Sequence, residues 1–267
     1  MDRATRPRSF GELLRRWRQR RGATQLALAL DAGVSTRHLS WLETGRASPS
    51  RAMVLRLAGR LDVPLRERNL LLQAAGYAPL YAERDLADPA LTPARDALQR
   101  LLDAHEPWPA LAVDRHWNLV AANRAVGLLT SLVDPVLLQP PVNVLRLSLH
   151  PRGLAPMVDD LPGWRAHVLS RLRRQLAATG DETLRRLHDE LRTAGTAPQA
   201  DDTREWRDDV VAPLVLNTPH GRLGFVTTVT VFGAPQEVTL AELAVETLLP
   251  ADTATAQALR RLLGDAR

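Results

Sequence analysis

The sequence contains no cysteine, no lysine and few aromatic residues, and each absence narrows what the protein can be. Without cysteine, a disulfide framework, a thiolate metal site and a cysteine nucleophile are all excluded. No apolar run approaches the roughly 18 residues that a membrane-spanning helix needs. No charged start followed by an apolar segment predicts secretion either. A cytoplasmic protein is therefore expected.

Aromatic residues make up 4% of the chain, so its core is expected to consist mostly of leucine, valine and alanine. The same scarcity gives no sign of a site that stacks nucleobases or a flavin. With 45% hydrophobic and 24% charged residues, the chain is nonetheless able to bury a substantial core. Its 267 residues leave room for about two domains.

The charge is unevenly distributed along the chain. Residues 1–79 contain 15 arginines and 6 acidic residues, a net charge of +9, whereas the remainder carries −4. Arginine enrichment from a GC-rich genome would explain the missing lysine, but it would not explain this asymmetry. Because a basic surface gains from counterion release when it neutralises phosphates, the first part of the chain is expected to meet a polyanion.

Five short helices are predicted between residues 9 and 75. Ser9, Thr24 and Ser35 are predicted caps, and Ser48-Pro49-Ser50 and Pro64 open the last two helices. Residues 81–95 lose this periodicity and gain proline and acidic residues, which is typical of a linker. We therefore predict an all-α domain over residues 1–80 and a second domain over 96–267.

The second domain is predicted to be α+β with an antiparallel sheet. Its strands are predicted at residues 110–114, 116–122, 210–217, 222–232 and 237–248. A Thr-Pro-His-Gly turn at 218–221 would join two of them. Its helices are predicted at residues 93–106, 123–132, 164–178, 181–194 and 252–263.

The stretch from Gln25 to Glu43 has the spacing of a helix-turn-helix. A small residue, Ala29, stands where the helices would touch, and Gly33 stands where the turn needs positive φ. The apolar residues expected on the inner faces are Leu26, Val34, Leu39 and Leu42. Together with Thr24-Gln-Leu and Trp41-Leu-Glu-Thr-Gly-Arg46, these residues resemble the lambda-repressor-like (xenobiotic-response-element) family of DNA-binding domains over residues 9–76.

The resemblance implies that the third helix enters the major groove of operator DNA. Its N-terminal residues would then face base edges, and Arg37 is the best candidate for guanine. The DNA-binding candidates are Ser35, Thr36, Arg37 and Ser40 for bases, and Gln25, Arg46 and Arg51 for phosphates. In this family the residue at Glu43 pairs with a first-helix arginine, here Arg18. Trp41 either stacks on the DNA backbone or covers the core, and the core is favoured.

The second domain contains a longer set of motifs. They run from Leu111-Ala-Val-Asp-Arg-His-Trp through Asn143-Val-Leu-Arg146 and Thr218-Pro-His-Gly-Arg-Leu to Thr239-Leu-Ala-Glu-Leu. These motifs look like the ligand-binding domain of MmyB-like transcription regulators, over residues 105–263. The resemblance implies a PAS-like fold, an antiparallel sheet flanked by helices around an apolar pocket, and a fatty-acid-like ligand.

Residues that would face inward from both layers are the candidate ligand contacts. They are Trp117, Leu145, Leu147, Trp164, Val168, Leu216 and Phe225, with Arg146 or His167 as an anchor for a carboxylate. Most such residues belong to a core rather than a site, and Arg146 would equally serve as a partner of an acid in its own chain. Asn123 is expected to cap a helix.

No catalytic signature accompanies these motifs. The seven histidines lack metal-ligand spacing, and no nucleophile elbow, Walker loop or dinucleotide fingerprint is present. We therefore expect a homodimeric bacterial regulator that binds operator DNA and senses a small apolar molecule, without enzymatic activity, metal or cofactor. The alternative is a C-terminal domain that serves only dimerisation or protein interaction. A third hypothesis is that the C-terminal domain is an enzyme tethered to DNA, which would require polar groups that converge in the pocket.

Overall fold

The computed structural model describes residues 9–194, 213–233 and 235–264. The chain divides into two compact units. The first comprises residues 1–84 with the short segments 177–179 and 235–241, and the second comprises residues 85–176, 180–234 and 242–267. None of the described helices is both long enough and apolar enough to cross a membrane.

Five α-helices form the first unit's N-terminal domain, as the sequence predicts. They are α1 Phe10–Arg20, α2 Gln25–Asp31, α3 Thr36–Glu43, α4 Arg51–Arg60 and α5 Leu65–Ala74. The hydroxyls of Ser9, Thr24, Ser35 and Ser50 each accept a hydrogen bond from the backbone N–H three residues later, which begins four of the helices. Gly33 has φ 65°, as the turn between α2 and α3 requires.

The core of this domain is built from one face of each helix. Leu14, Leu39, Leu42 and Leu57 are fully or almost fully buried in it, and Ala29 is buried where α2 meets its neighbours. The expectation that Leu26 lies on the inner face is wrong, because its side chain is 67% exposed.

Five strands of the second unit form one antiparallel sheet in the order β2-β1-β5-β4-β3. They are β1 Ala110–Val113, β2 Leu119–Ala122, β3 Pro213–Thr218, β4 Gly221–Val231 and β5 Ala244–Pro250. The predicted turn at 218–221 joins β3 to β4, with Thr218 paired to Gly221. The helices are α6 Thr92–Ala104, α7 Val126–Thr130, α8 Val144–Leu149, α9 Leu161–Thr179, α10 Glu182–Thr193, α11 Val238–Ala241 and α12 Thr253–Gly264.

A continuous apolar core joins the sheet to these helices. It contains Trp164 and Leu172 of α9, Leu187 of α10, Phe225 of β4 and Leu259 of α12. The α+β class with an antiparallel sheet is confirmed, and the sheet with its flanking helices has the PAS-like arrangement that the resemblance implies.

Two local predictions need correction. The strand expected over 237–248 begins only at Ala244, because the Glu237 carboxylate accepts a hydrogen bond from the N–H of Leu240 and starts the short helix α11. The strand expected over 116–122 begins at Leu119, because the Asp114 carboxylate holds residues 114–118 in a turn. Residues 210–212 of the strand predicted over 210–217 lie outside the described residues.

Asn123 does not cap a helix. Its carboxamide is buried, accepts from the N–H of Ala110 at 3.1 Å, and donates to the carbonyls of Leu102 and Trp108 at 3.1 and 2.8 Å. It therefore fastens the end of α6 to the start of β1, where backbone groups would otherwise lack partners.

Candidate functional site

The exposed face of α3 is the first candidate site. On a helix with about 100° between successive residues, Thr36, Arg37, Ser40 and Trp41 fall within a sector of about 140°. Arg37 and Trp41 are exposed, and Thr36 and Ser40 are half-buried. Leu39 and Leu42 lie on the opposite side, in the core. The structure thus brings the predicted base-reading residues together on one accessible surface.

Trp41 belongs to this surface rather than to the core, so the favoured interpretation of this residue is wrong. Its side chain is 36% exposed, and the guanidinium of Arg37 lies over its ring at 4.6 Å. A cation over an aromatic face is attracted by the ring quadrupole. The contact restricts the arginine that the sequence singles out for base recognition.

Glu43, at the C-terminal end of α3, is the residue that fixes this helix. Arg18 of α1 donates from Nε to Oε1 at 2.6 Å and from Nη2 to Oε2 at 3.0 Å. Gln25 of α2 donates from Nε2 to Oε2 at 2.8 Å. One buried carboxylate thereby joins three helices, and the expected pairing of Arg18 with Glu43 is confirmed.

The charge of Glu43 is maintained by these donors. Burial alone would raise the pKa of this carboxyl, but the hydrogen bonds from Arg18 and Gln25 outweigh it and hold the pKa below its usual value. The same hydrogen bond raises the pKa of Arg18. The pair therefore stays ionised at neutral pH.

The remaining predicted DNA contacts surround α3. Ser35 is exposed and caps the helix, accepting from the N–H of His38 at 3.1 Å. Gln25 is the first residue of α2, and its amide is already engaged by Glu43. Arg46 follows the C-terminus of α3 and Arg51 is the first residue of α4, and both are exposed.

An apolar cavity in the second unit is the second candidate site. It lies among α7, α8, α9 and strands β1 to β5, and its free volume is about 90 Å³. One water molecule needs about 10–15 Å³ on this kind of measure. The cavity is therefore several times larger than a packing defect that holds one water.

Five of the nine predicted ligand contacts line this cavity. They are Leu145, Leu147, Trp164, His167 and Val168. Three others, Trp117, Leu216 and Phe225, are buried in the core and do not line it, because the sheet and helices pack tightly around them. Trp117 instead donates from Nε1 to Gln175 at 2.8 Å.

Arg146 is also outside the cavity, which corrects its assignment as a carboxylate anchor. Its guanidinium forms a bidentate pair with Glu190 of α10 at 2.7 and 2.8 Å, and both side chains are about half exposed. The preceding and following residues of α8, Leu145 and Leu147, line the cavity, so the side chain between them leaves the helix in another direction.

The charged residues that line the cavity were not predicted. Arg171 of α9 and Glu246 of β5 form an ion pair at 2.7 Å with side chains 18% and 11% exposed. Arg171 follows Trp164, His167 and Val168 at helical spacing, and Glu246 interrupts the apolar strand Ala-Val-Glu-Thr-Leu-Leu. These two charged residues within otherwise apolar patterns were the sequence features that could have indicated a charged pair in the cavity.

His167 and Trp164 add ring nitrogens to the lining, which also includes the hydroxyl residues Thr130, Ser148 and Thr227. Their rings stack at 5.3 Å. Burial first, and then the charges of Arg171 and Arg174, lower the pKa of His167, so this imidazole is neutral at neutral pH. Within the described residues, no group of three or more His, Asp or Glu side chains is arranged to hold a metal ion.

Both parts of the chain match models of known protein families. The family model for the MmyB-like transcription regulator ligand binding domain matches residues 94–262, and a model for a helix-turn-helix domain matches residues 9–71. No curated protein matches the chain. A solved structure described as an RNA-binding Light-Oxygen-Voltage receptor aligns with 99% of this chain and 70% of its own at 14% identity, with a TM-score of 0.29.

Proposed function

Because the chain belongs to the MmyB-like transcription regulators, we propose that it recognises a specific operator through α3 and that a small apolar effector in the cavity alters this recognition. The regulator acts as a homodimer in the bacterial cytoplasm. Each protomer contacts one half of a near-palindromic site, with half-sites about one helical turn apart. A dimer that occupies such a site excludes other proteins from it, so the proposed output is repression.

The DNA-binding part of the proposal rests on the accessible face of α3. Arg37 reads a guanine, and Ser35, Thr36 and Ser40 contact neighbouring base edges. Gln25, Arg46 and Arg51 contact phosphates, which set the position of the helix without reading sequence. Support comes from the exposure of Arg37 and from the Glu43 network, which fastens the C-terminal end of α3 to α1 and α2.

The effector part rests on one observation, the apolar cavity beneath α9. Most of its lining is leucine and valine, which suits an alkyl chain. Its two charged residues, Arg171 of α9 and Glu246 of β5, lie together, which suits one polar end. A fatty-acid-like molecule has this shape. A domain that served dimerisation alone would be expected to fill its core with its own side chains. The proposal assigns binding roles and no catalytic step.

The test of DNA recognition starts by selecting the operator from random duplexes with the full chain. Arg37→Ala is expected to cost about 1–3 kcal/mol and to relax preference at one base position, whereas Gln25→Ala weakens all sequences similarly. Arg186→Ala, a highly exposed arginine on α10, is the matched control and leaves binding unchanged. Equal losses at every sequence for both Arg37→Ala and Gln25→Ala would overturn the assigned roles.

The test of effector sensing measures operator affinity by fluorescence anisotropy with and without a saturating eight-carbon amphiphile. Octanamide, octan-1-ol and octanoate are the probes. Effector sensing predicts that the probe which binds the cavity changes the operator affinity, because a ligand shifts an equilibrium only through different affinities for the two states. An operator affinity that stays constant at saturation would overturn the sensing mechanism.

A further inference from the structure

The charged and ring-nitrogen groups of the cavity come from two elements, α9 and β5, and the hydroxyl residues Thr130, Ser148 and Thr227 line it as well. On α9, Trp164, His167, Val168 and Arg171 stand at positions i, i+3, i+4 and i+7, so they share one face of the helix. From the sheet, Glu246 of β5 lines the same space. All of these groups belong to the second unit.

The charges in the cavity already cancel. Arg171 donates from Nη1 to Oε1 of Glu246 at 2.7 Å, and both side chains are largely buried. The guanidinium also lies over the ring of Trp117 at 4.2 Å, which holds it in place. An anion entering this space would compete with Glu246 for the same arginine and would leave one negative charge without a counter-charge, which is strongly unfavourable in an apolar environment.

His167 does not supply the missing positive charge. Its pKa is lowered by burial and by the two nearby arginines, so the ring is neutral at neutral pH, where a carboxylic acid is ionised. Arg174, the other cation beside it, does not line the cavity, and it donates from Nη1 to Ser170.

Hydrogen-bonding capacity remains on both sides of the cavity. Trp164 is 8% exposed, and its indole N–H has no hydrogen-bond partner among the described residues. Within the same part of the chain, Arg171 donates only from Nη1, and Glu246 accepts only at Oε1. A buried donor without an acceptor is unfavourable. A ligand group that both accepts and donates would therefore complete the site.

We propose that the cavity selects uncharged amphiphiles, an alkyl chain ending in a neutral donor–acceptor group such as a primary amide or alcohol, over a carboxylate of the same length. The neutral group accepts from Trp164 or Arg171 and donates to Glu246, while the Arg171–Glu246 pair stays intact. This inference rests on the proposed binding of an apolar effector, and it specifies the chemistry of the effector's polar end.

The experiment compares octanamide, octan-1-ol and octanoate by isothermal titration calorimetry with the full chain at about pH 8, where the octanoate is ionised. The neutral probes are expected to bind at least about ten-fold more tightly than octanoate. Glu246→Gln removes the resident negative charge and frees Arg171, so octanoate affinity rises about ten-fold or more in this variant. Glu190→Gln, which opens the exposed pair with Arg146, is the matched control and leaves the preference unchanged.

A second variant covers the case in which Glu246→Gln does not fold, as judged by circular dichroism. Trp164→Phe keeps an aromatic ring but removes the N–H, so octanamide affinity falls several-fold. Octanoate binding to the wild-type chain as tightly as octanamide would overturn the selection of neutral groups while effector binding stands. Failure of all three probes to bind the folded protein would overturn effector binding itself, and with it this inference.

Discussion

At the scale of single residues, Glu43 is the most consequential side chain of the DNA-binding domain. Its carboxylate is 2% exposed and accepts from Arg18 and Gln25, so removing it leaves a buried arginine without its counter-charge. Glu43→Ala is expected to lower the free energy of unfolding by about 3–5 kcal/mol. Denaturant unfolding checks this. Glu190→Ala, which removes an exposed partner of Arg146, should cost less than about 1 kcal/mol, and equal costs would contradict the argument.

Glu43 also makes the stability of the first domain depend on pH in acid. Because the folded pKa of Glu43 lies below its unfolded value, its contribution is fully present above about pH 4.3 and is lost as pH falls through the folded pKa. The stability difference between wild type and Glu43→Gln should therefore be constant from neutral pH to about pH 5 and shrink in stronger acid. Thermal melts of both proteins across this range measure it. A difference independent of pH would show that the carboxylate's charge is unimportant.

The predictions from sequence that proved wrong also concern single residues, namely which side chains on a helix face the core or the cavity. The helix Gln-Leu-Ala-Leu-Ala-Leu-Asp places leucines at 26, 28 and 30, and only Leu28 is buried. Local spacing does not decide which leucine meets the core, because that depends on where α1 and α3 lie. Arg146 and Arg171 present the same problem. Each lies near cavity residues in sequence, but the tertiary packing turns only Arg171 inward.

At the scale of secondary-structure elements, α1 approaches the end of α3 closely at Gly11. A Cβ added to Gly11 would lie 2.5 Å from the carbonyl oxygen of Glu43, which is backbone and cannot move aside. Gly11→Ala should therefore destabilise the domain by about 1–3 kcal/mol. Gly59 of α4 has nothing within 4 Å of its added Cβ, so Gly59→Ala should stabilise by about 0.5–1 kcal/mol. Thermal unfolding of the two variants measures both effects. A change of the same sign in Gly11→Ala and Gly59→Ala would contradict the prediction.

Elements set by local chemistry were predictable, and elements set by distant contacts were not. Ser9, Thr24 and Ser35 mark helix starts because their hydroxyls satisfy N–H groups only three residues away. The first half of the predicted strand over 237–248 is not a strand because residues 82–84 bind it. The Glu237 carboxylate accepts from the N–H of Arg84, and the N–H of Val238 donates to the carbonyl of Ala82. The role of Asn123 was missed because its hydrogen-bond partners, Ala110, Leu102 and Trp108, lie 13 to 21 residues earlier in the chain. They come close to Asn123 only in the folded domain.

At the scale of the whole molecule, charge and cavity fall in different parts of the chain. The net charge of +9 lies in residues 1–79, with α3 among them, whereas the cavity is lined entirely by residues beyond 110. The helix-turn-helix spacing from Gln25 to Glu43 was sufficient to predict the DNA-binding domain, whereas the ligand-binding domain was predicted only through the resemblance of its motifs to the MmyB-like family. The cavity's charged lining was not predictable, because Arg171 and Glu246 are 75 residues apart and meet only through the packing of α9 against β5.

If the effector alters operator binding, thermodynamic linkage requires the reverse effect with the same factor. A probe such as octanamide that weakens operator affinity about ten-fold must itself bind about ten-fold more weakly when the protein is saturated with operator DNA. Anisotropy with labelled operator gives the first factor, and calorimetric titration of octanamide into the protein–DNA complex gives the second. Trp164→Phe, which weakens the probe, should leave the operator affinity of the probe-free protein unchanged. Unequal factors would mean that the probe binds at more than one site or changes the protein's association state.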